Sequence, residues 1–291
     1  LMGSGTVLVG FMSGGQALST VLLTGGLALL AIGLVAAAGS QGIERRARGI
    51  GGYRGPSPFL VFAASIPVAV VLLIVGAIPL SILGVDLEGP LGRLLSVLVQ
   101  ALVYAGLIRL LVVDSGALSW REMGVTRPDG RVLREVVAGA AWAVPVIIVT
   151  IPIALVLTAV FPVIPASPLP PTGEVVGFVI QLAAGAIVAP VGEELFFRAF
   201  ATTAWGRALG VSRGLIRAAL FFAVAHVLTI SAGGLGEGAA LALIGFATRV
   251  PVALVLGWLY VRRGSIWAPI GLHAAFNGIL LVLGEAAVRA A

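Results

Sequence analysis

Residues 58–84 read PFLVFAASIPVAVVLLIVGAIPLSILG, an apolar run that contains no charged side chain. At 1.5 Å per residue, a helix of this length crosses the roughly 30 Å hydrocarbon core of a bilayer. The run lacks the alternation of apolar and polar residues that marks a barrel strand. Because lipid offers the backbone no hydrogen bonds, we expect a transmembrane helix here.

Similar runs recur along the whole chain. The protein has 291 residues, of which 59% are hydrophobic and only 10% are charged, whereas about 25% of residues are charged in soluble domains. Between charges, turns and Pro/Gly clusters, the predicted spans are 16–39, 58–84, 91–113, 133–161, 174–206, 214–230, 238–261 and 266–288. The sequence therefore predicts an all-α, polytopic membrane bundle of about eight transmembrane helices.

The longest polar interval, 114–129, predicts a division of the chain. Before it, residues 1–115 are expected to form an amino-terminal region of three membrane helices. After it, residues 116–291 are expected to form a helical core that carries the chemistry.

The distribution of arginine predicts how the chain crosses the membrane. All 18 basic residues are Arg, and most lie in alternate connections: Arg45, Arg46, Arg48, Arg54, Arg121, Arg127, Arg131, Arg134, Arg207, Arg213, Arg262 and Arg263. Under the positive-inside rule these connections face the cytoplasm, so we expect a multi-pass protein of the cell membrane. The arginines form no continuous stripe, so the lipid bilayer and not nucleic acid explains the net charge of +6.

Six ionisable residues lie well inside the predicted spans, where a charge is costly and tends to mark function. They are Glu193, Glu194, Arg198, His226, Arg249 and His273. The chain has two histidines and no cysteine, which excludes thiolate chemistry. It also lacks the HExxH motif of zinc proteases.

The segment 193–198, EELFFR, spaces Glu194 and Arg198 by four residues, so a helix places them on one face as an ion pair. Glu193 lies about 100° around the helix and is left without that partner. A carboxylate in this position suits a general base. The alternative is that all three residues only anchor the end of the helix.

Two further pairs have the same spacing. Phe222 precedes His226 by one turn in FAVAH, so its ring is expected to hold the imidazole. His273 and Asn277 in HAAFN direct an imidazole and a carboxamide to a common point, where both can donate to an oxyanion. The alternatives are a histidine that only bonds a neighbouring helix and an asparagine that only joins two helices.

Helical rise places these groups at similar depths. Counted from the predicted cytoplasmic helix ends, Glu193 lies roughly 20 Å, His226 roughly 18 Å and His273 roughly 10 Å into the bilayer. We therefore expect one cavity that opens toward the cytoplasm. For Arg249, in mid-span, the sequence leaves open a gating role, neutralisation of a glutamate, binding of a substrate carboxylate, or no role.

The order EExxxR, FxxxH and HxxxN on successive late helices resembles the CAAX protease and bacteriocin-processing family, which includes prenyl-protein endopeptidases and abortive-infection proteins. The resemblance extends over roughly residues 120–290 and begins with WREMGV at 120–125. Ala199 stands where the family often has Gly after the arginine.

The resemblance implies an intramembrane endopeptidase that cuts a membrane-associated protein or peptide. By position, Glu193 with His226 would activate a water, while His273 and Asn277 would stabilise the oxyanion. The resemblance leaves open a divalent metal, zinc, with Glu193, His226 and His273 as its ligands. The residues that would support the site are Glu194, Arg198, Phe222 and Arg249.

Two other functions fit the same residues. One is a non-catalytic membrane scaffold, or an immunity or regulatory protein, although such relatives usually lose one of the motifs. The other is a transporter with a proton relay, which the lack of evident inverted repeats disfavours. Richness in Ala, Gly and Arg without Lys indicates a GC-rich prokaryotic genome, in which prenylated substrates are not expected.

Overall fold

The computed structural model describes residues 14–49, 51–126, 129–163, 165, 167, 169–228 and 230–290, with only the backbone of 14–20. Within these residues the chain forms helices and no strand, which confirms the predicted all-α class. Arg127, one of the arginines that predict orientation, lies outside the described residues.

Eight helices follow one another in the described part of the chain. They are α1 (Gly14–Ala47), α2 (Pro58–Ile82), α3 (Pro90–Val113), α4 (Gly130–Val160), α5 (Val175–Leu209), α6 (Val211–Ala225), α7 (Leu235–Arg263) and α8 (Trp267–Ala290).

Seven of the described helices are long and apolar enough to cross a membrane, and α6 is the exception. With 15 residues, α6 has a length of about 22 Å, short of the roughly 30 Å hydrocarbon core. The predicted span 214–230 therefore ends early, at Ala225. Large apolar side chains lie exposed on the other helices, for example Leu155, Val156 and Val160 on α4. A bilayer is the environment that covers such surface.

Helix α4 is interrupted once. Gly130–Ala140 and Ala143–Val160 are helical, and the two residues between them form a turn. Pro145 has no N–H to donate to the Ala141 carbonyl, which explains why the helix breaks at this point.

Packing groups the described residues into two compact units. The first comprises residues within Leu1–Ser119, Pro171–Gly192 and Glu285–Ala291, and the second comprises Trp120–Pro170 and Glu193–Gly284. The chain thus passes between the units within α5 and within α8. The predicted division into residues 1–115 and 116–291 stays a prediction.

In the first unit, a buried glutamate joins α8 to the start of α5. Glu285 is buried. The Thr172 backbone N–H donates to it at 2.8 Å, and Arg289 donates to it at 3.0 Å. The end of α8 is thereby fixed by one carboxylate with two kinds of donor.

In the second unit, α4 packs against α8 at backbone distance. A Cβ atom at Gly139 would collide with the Ala268 carbonyl, and one at Gly271 would collide with the Val136 carbonyl. Only glycine allows this approach at both positions. Because Gly271 precedes His273 by two residues, the same contact fixes the position of His273 along the axis of α8 relative to α4.

Candidate active site

Helix α5 is not a regular α-helix around its two glutamates. It is π-helical over Ala183–Val188 and Glu194–Thr202, with a short α-helical segment, Ala189–Glu193, between them. The Thr202 hydroxyl donates to the Phe197 carbonyl, five residues earlier in the chain. The expectation of an undisturbed 3.6-residue period here is wrong, and π-helical turns of this kind often occur at functional sites.

Glu193 faces both histidines of the chain. Its Oε2 atom lies 3.4 Å from His226 Nε2 and 3.8 Å from His273 Nε2. The side chain is 24% exposed. Oε2 itself is buried, and no described residue donates a hydrogen bond to it. The predicted meeting of a carboxylate and two imidazoles, which are distant in sequence, therefore occurs in the structure.

The neighbouring Glu194 forms a buried network instead. Its Oε1 atom accepts from Arg198 Nη1 at 3.0 Å, as the spacing predicts, and lies 2.8 Å from His273 Nδ1. The side chains of Glu194 and Arg198 are 0% and 1% exposed. His273 thus lies between two adjacent glutamates, with one ring nitrogen facing each of them.

Hydrogen bonds at Nδ1 orient both imidazole rings. His226 Nδ1 lies 2.8 Å from the Phe222 carbonyl, and His273 Nδ1 lies 2.8 Å from the Glu194 carboxylate. Both partners are acceptors, so each Nδ1 carries a proton and donates. The remaining nitrogen, Nε2, faces Glu193 in both rings. A neutral ring accepts a hydrogen bond at Nε2, and a protonated ring donates one.

The Phe222 ring packs against three groups of the site. Its centroid lies 4.3 Å from that of His226 and 5.8 Å from that of His273. The Arg198 guanidinium lies over its face at 4.3 Å. The packing fits the expectation that Phe222 holds the His226 imidazole, which stays a prediction, and the contact with the guanidinium is a cation–π interaction.

His226 occupies a different position from the one predicted. It is the C-cap residue of α6 and lies after the last helical residue, Ala225, not within a span. Both its ring, at 2.8 Å, and its backbone N–H, at 3.3 Å, bond the Phe222 carbonyl in the last turn of the helix. The polar side chain thus lies at the end of a short helix inside the bundle.

The two remaining predicted residues lie on the helices around this cluster. Asn277 follows His273 by one turn on α8 and is half-buried. Arg249 is half-buried on α7, where its Nη1 donates to the Gly245 carbonyl at 2.9 Å. Its charge interacts with that of Glu193.

The described residues contain no group of three or more His, Cys, Asp or Glu that is arranged to hold a metal ion. The side chains around Glu193 do not form such a group. A divalent ion bound by Glu193, His226 and His273 stays a prediction.

Fold and site together define a polytopic helical membrane protein with a buried cluster of carboxylates and imidazoles. Residues 175–279 match the family described as Type II CAAX prenyl endopeptidase Rce1-like. This match confirms the predicted resemblance to the CAAX protease family over that segment and implies a peptidase. The segment contains Glu193, Glu194, Arg198, Phe222, His226, Arg249, His273 and Asn277.

No curated protein and no solved structure matches the chain. The family match begins at α5 and does not reach WREMGV at 120–125. The resemblance of that segment to the family's lead-in stays a prediction.

Proposed function

We propose that the protein is an intramembrane endopeptidase in which Glu193 activates a water molecule. The observation that carries the proposal is the position of Glu193 Oε2, a buried acceptor that faces the Nε2 atoms of His226 and His273 at 3.4 and 3.8 Å. A water at this point would donate to the carboxylate and lie within reach of both rings. The family match supports peptide hydrolysis as the reaction.

In the proposed reaction, the water oxygen forms a bond to the scissile carbonyl carbon while one water proton passes to Glu193, assisted by His226. His273, protonated at both nitrogens, and the Asn277 amide donate to the oxyanion that develops. The C–N bond then breaks, and the proton held by Glu193 passes to the leaving amine. The products are a carboxylic acid and an amine, and water is the one reactant consumed besides the peptide.

Glu194 and Arg198 have a positioning role in this proposal. The carboxylate of Glu194 fixes Nδ1 of His273 and stabilises the ring when it is protonated. Arg198 holds that carboxylate in place through its hydrogen bond at 3.0 Å. Neither side chain has the exposure needed to contact a substrate.

We further propose that the substrate is a membrane-associated protein or peptide, cut near the cytoplasmic face of the cell membrane. The support is that Arg207 pairs with Glu122 and Arg263 pairs with Glu135, so that arginine-bearing connections lie together at one end of the second unit. Arginine in short connections favours a cytoplasmic position.

The proposal is tested by comparing the protein termini of membranes that contain the wild-type protein, Glu193→Gln or Glu237→Gln. Glu237 is an exposed residue of α7 that carries the same chemical change away from the site. We expect new amino termini with the wild-type protein and Glu237→Gln, and none with Glu193→Gln. Identical termini in all three membranes would refute the proposal.

A further inference from the structure

Arg249 is a charged residue of the membrane that the proposed reaction does not use. Its one hydrogen bond within the described residues runs from Nη1 to the Gly245 carbonyl of its own helix, at 2.9 Å. A guanidinium carries five N–H donors, so most of its capacity remains available. The side chain is half-buried, which leaves part of it accessible.

The other arginine of the site, Arg198, has no such capacity. It donates to Glu194 at 3.0 Å and lies against the Ala253 carbonyl at 3.4 Å, with the Phe222 ring over its guanidinium. At 1% exposure it cannot reach a substrate. Arg249 is therefore the cation of the site that can bind an incoming group.

Two contacts of α7 place the turn that carries Arg249 between the segment of His226 and the side chain of Arg198. One turn before it, Gly245 packs against Val227, the residue that follows His226. One turn after it, the Ala253 carbonyl accepts from Arg198. Arg249 lies between these points, and its charge interacts with that of Glu193.

The remaining N–H donors of Arg249 and its charge favour an anionic partner. A guanidinium inside a membrane span is costly without a counterion. Glu193 is shared with two imidazoles, and no described carboxylate forms an ion pair with Arg249. The planar fork of a guanidinium matches a carboxylate in a bidentate geometry.

We propose that Arg249 binds a carboxylate of the substrate, so that the enzyme prefers peptides with a carboxylate close to the scissile bond. This inference rests on the proposed peptidase function and adds a substrate class to it. The carboxylate has two sources, the free carboxyl terminus of a peptide and an Asp or Glu side chain, and the test separates them.

The test uses purified protein in liposomes with three libraries of N-palmitoylated peptides. The first library has a free carboxyl terminus and no acidic residue, the second has an amidated terminus and no acidic residue, and the third has an amidated terminus and one Asp or Glu. New termini are quantified by mass spectrometry. We expect the first or the third library to be cut at least about tenfold faster than the second, as a charge-assisted hydrogen bond would produce.

Variants of Arg249 test whether this residue causes the preference for a carboxylate. We expect Arg249→Gln to cut all three libraries at similar rates, with the loss for the preferred library appearing as a higher KM. Arg249→Lys should keep part of the difference in rate. Arg262→Gln, the same change at the end of the same helix, should keep the full difference. If Arg249 only neutralised Glu193, Arg249→Gln would slow all libraries equally and leave the ratio between their rates unchanged, which would overturn the inference.

Failure of the two proposals can be told apart. Cleavage of all three libraries at equal rates by the wild-type protein would overturn the carboxylate preference and leave the peptidase function standing, whatever the variants do. If the wild-type protein cuts none of the libraries faster than Glu193→Gln does, both proposals are overturned.

Discussion

Among the described residues, each unit has one Glu–Arg pair of four-residue spacing with a buried glutamate: Glu194–Arg198 and Glu285–Arg289. The side chains of Glu194 and Arg198 are 0% and 1% exposed, and those of Glu285 and Arg289 are 5% and 39% exposed. Glu194 lies on a π-helical segment and also contacts His273, whereas the other oxygen contacts of Glu285 go to Thr172.

Four-residue spacing alone does not determine what else a Glu–Arg pair contacts. Both pairs satisfy the i,i+4 rule for a helical ion pair. What distinguishes Glu194 is the imidazole at 2.8 Å, which connects the pair to Glu193 through a single ring. Glu285 has backbone and hydroxyl donors instead and fixes the end of a helix.

The largest expected difference between the pairs concerns stability. Glu194→Leu leaves the Arg198 guanidinium buried without its counterion, so we expect it to lower the free energy of unfolding by about 3–5 kcal/mol. Glu285→Leu should cost less, because Arg289 can turn toward water. Unfolding of the purified proteins in mixed micelles measures both changes, and equal losses would remove the distinction.

A second replacement separates stability from activity. In Glu194→Leu with Arg198→Met, both charges are gone, so we expect much of the stability to return. His273 still lacks its acceptor at Nδ1, so cleavage should stay low. Recovery of cleavage together with stability would show that the pair acts only through the fold.

The next difference concerns activity. Glu194→Gln keeps the size of the side chain but removes the charge that orients His273, so we expect cleavage to fall roughly 10- to 100-fold, the range for partners of a functional histidine. Glu285→Gln should leave the rate per folded molecule unchanged. Rates on one peptide in liposomes test this, and a similar fall in both variants would contradict it.

The smallest expected effect is that of metal removal. Because the proposed reaction uses Glu193 as the base and has no step through a metal, we expect a chelator to leave the cleavage rate unchanged. The control is the chelated protein with zinc added back. Loss of cleavage with the chelator and its return with zinc would make Glu193, His226 and His273 ligands and not a base with two partners.

Much of the fold could be predicted from the sequence, because apolar length decides which segments cross a bilayer. The span 91–113 and the helix Pro90–Val113 nearly coincide. The π-helical turns of α5 could not be predicted, since the hydropathy of a helix does not depend on its hydrogen-bond register. The early end of α6 was missed because Val227 and Leu228 continue the apolar pattern after the last helical residue.

The members of the site were predictable because a membrane penalises ionisable residues strongly. The hydrogen bonds between these residues were less predictable. The four-residue rule predicted the bond between Glu194 and Arg198, but the contact between Glu194 and His273 joins two helices and has no signal in local spacing. Glu285 was missed for a related reason, since a charge near the end of a span looks solvated in the sequence.

The central claim is that Glu193 and His226 act together on one water. The most direct measurement is a double-mutant cycle with Glu193→Gln, His226→Gln and the double variant, using cleavage of one peptide by purified protein in liposomes. We expect each single variant to lose about 10²–10⁴-fold in rate, and the double variant to lose no more than the worse single one, because residues that act as a unit are not additive. A double variant whose loss is the product of the two single losses, or a single variant with full activity, would contradict the account.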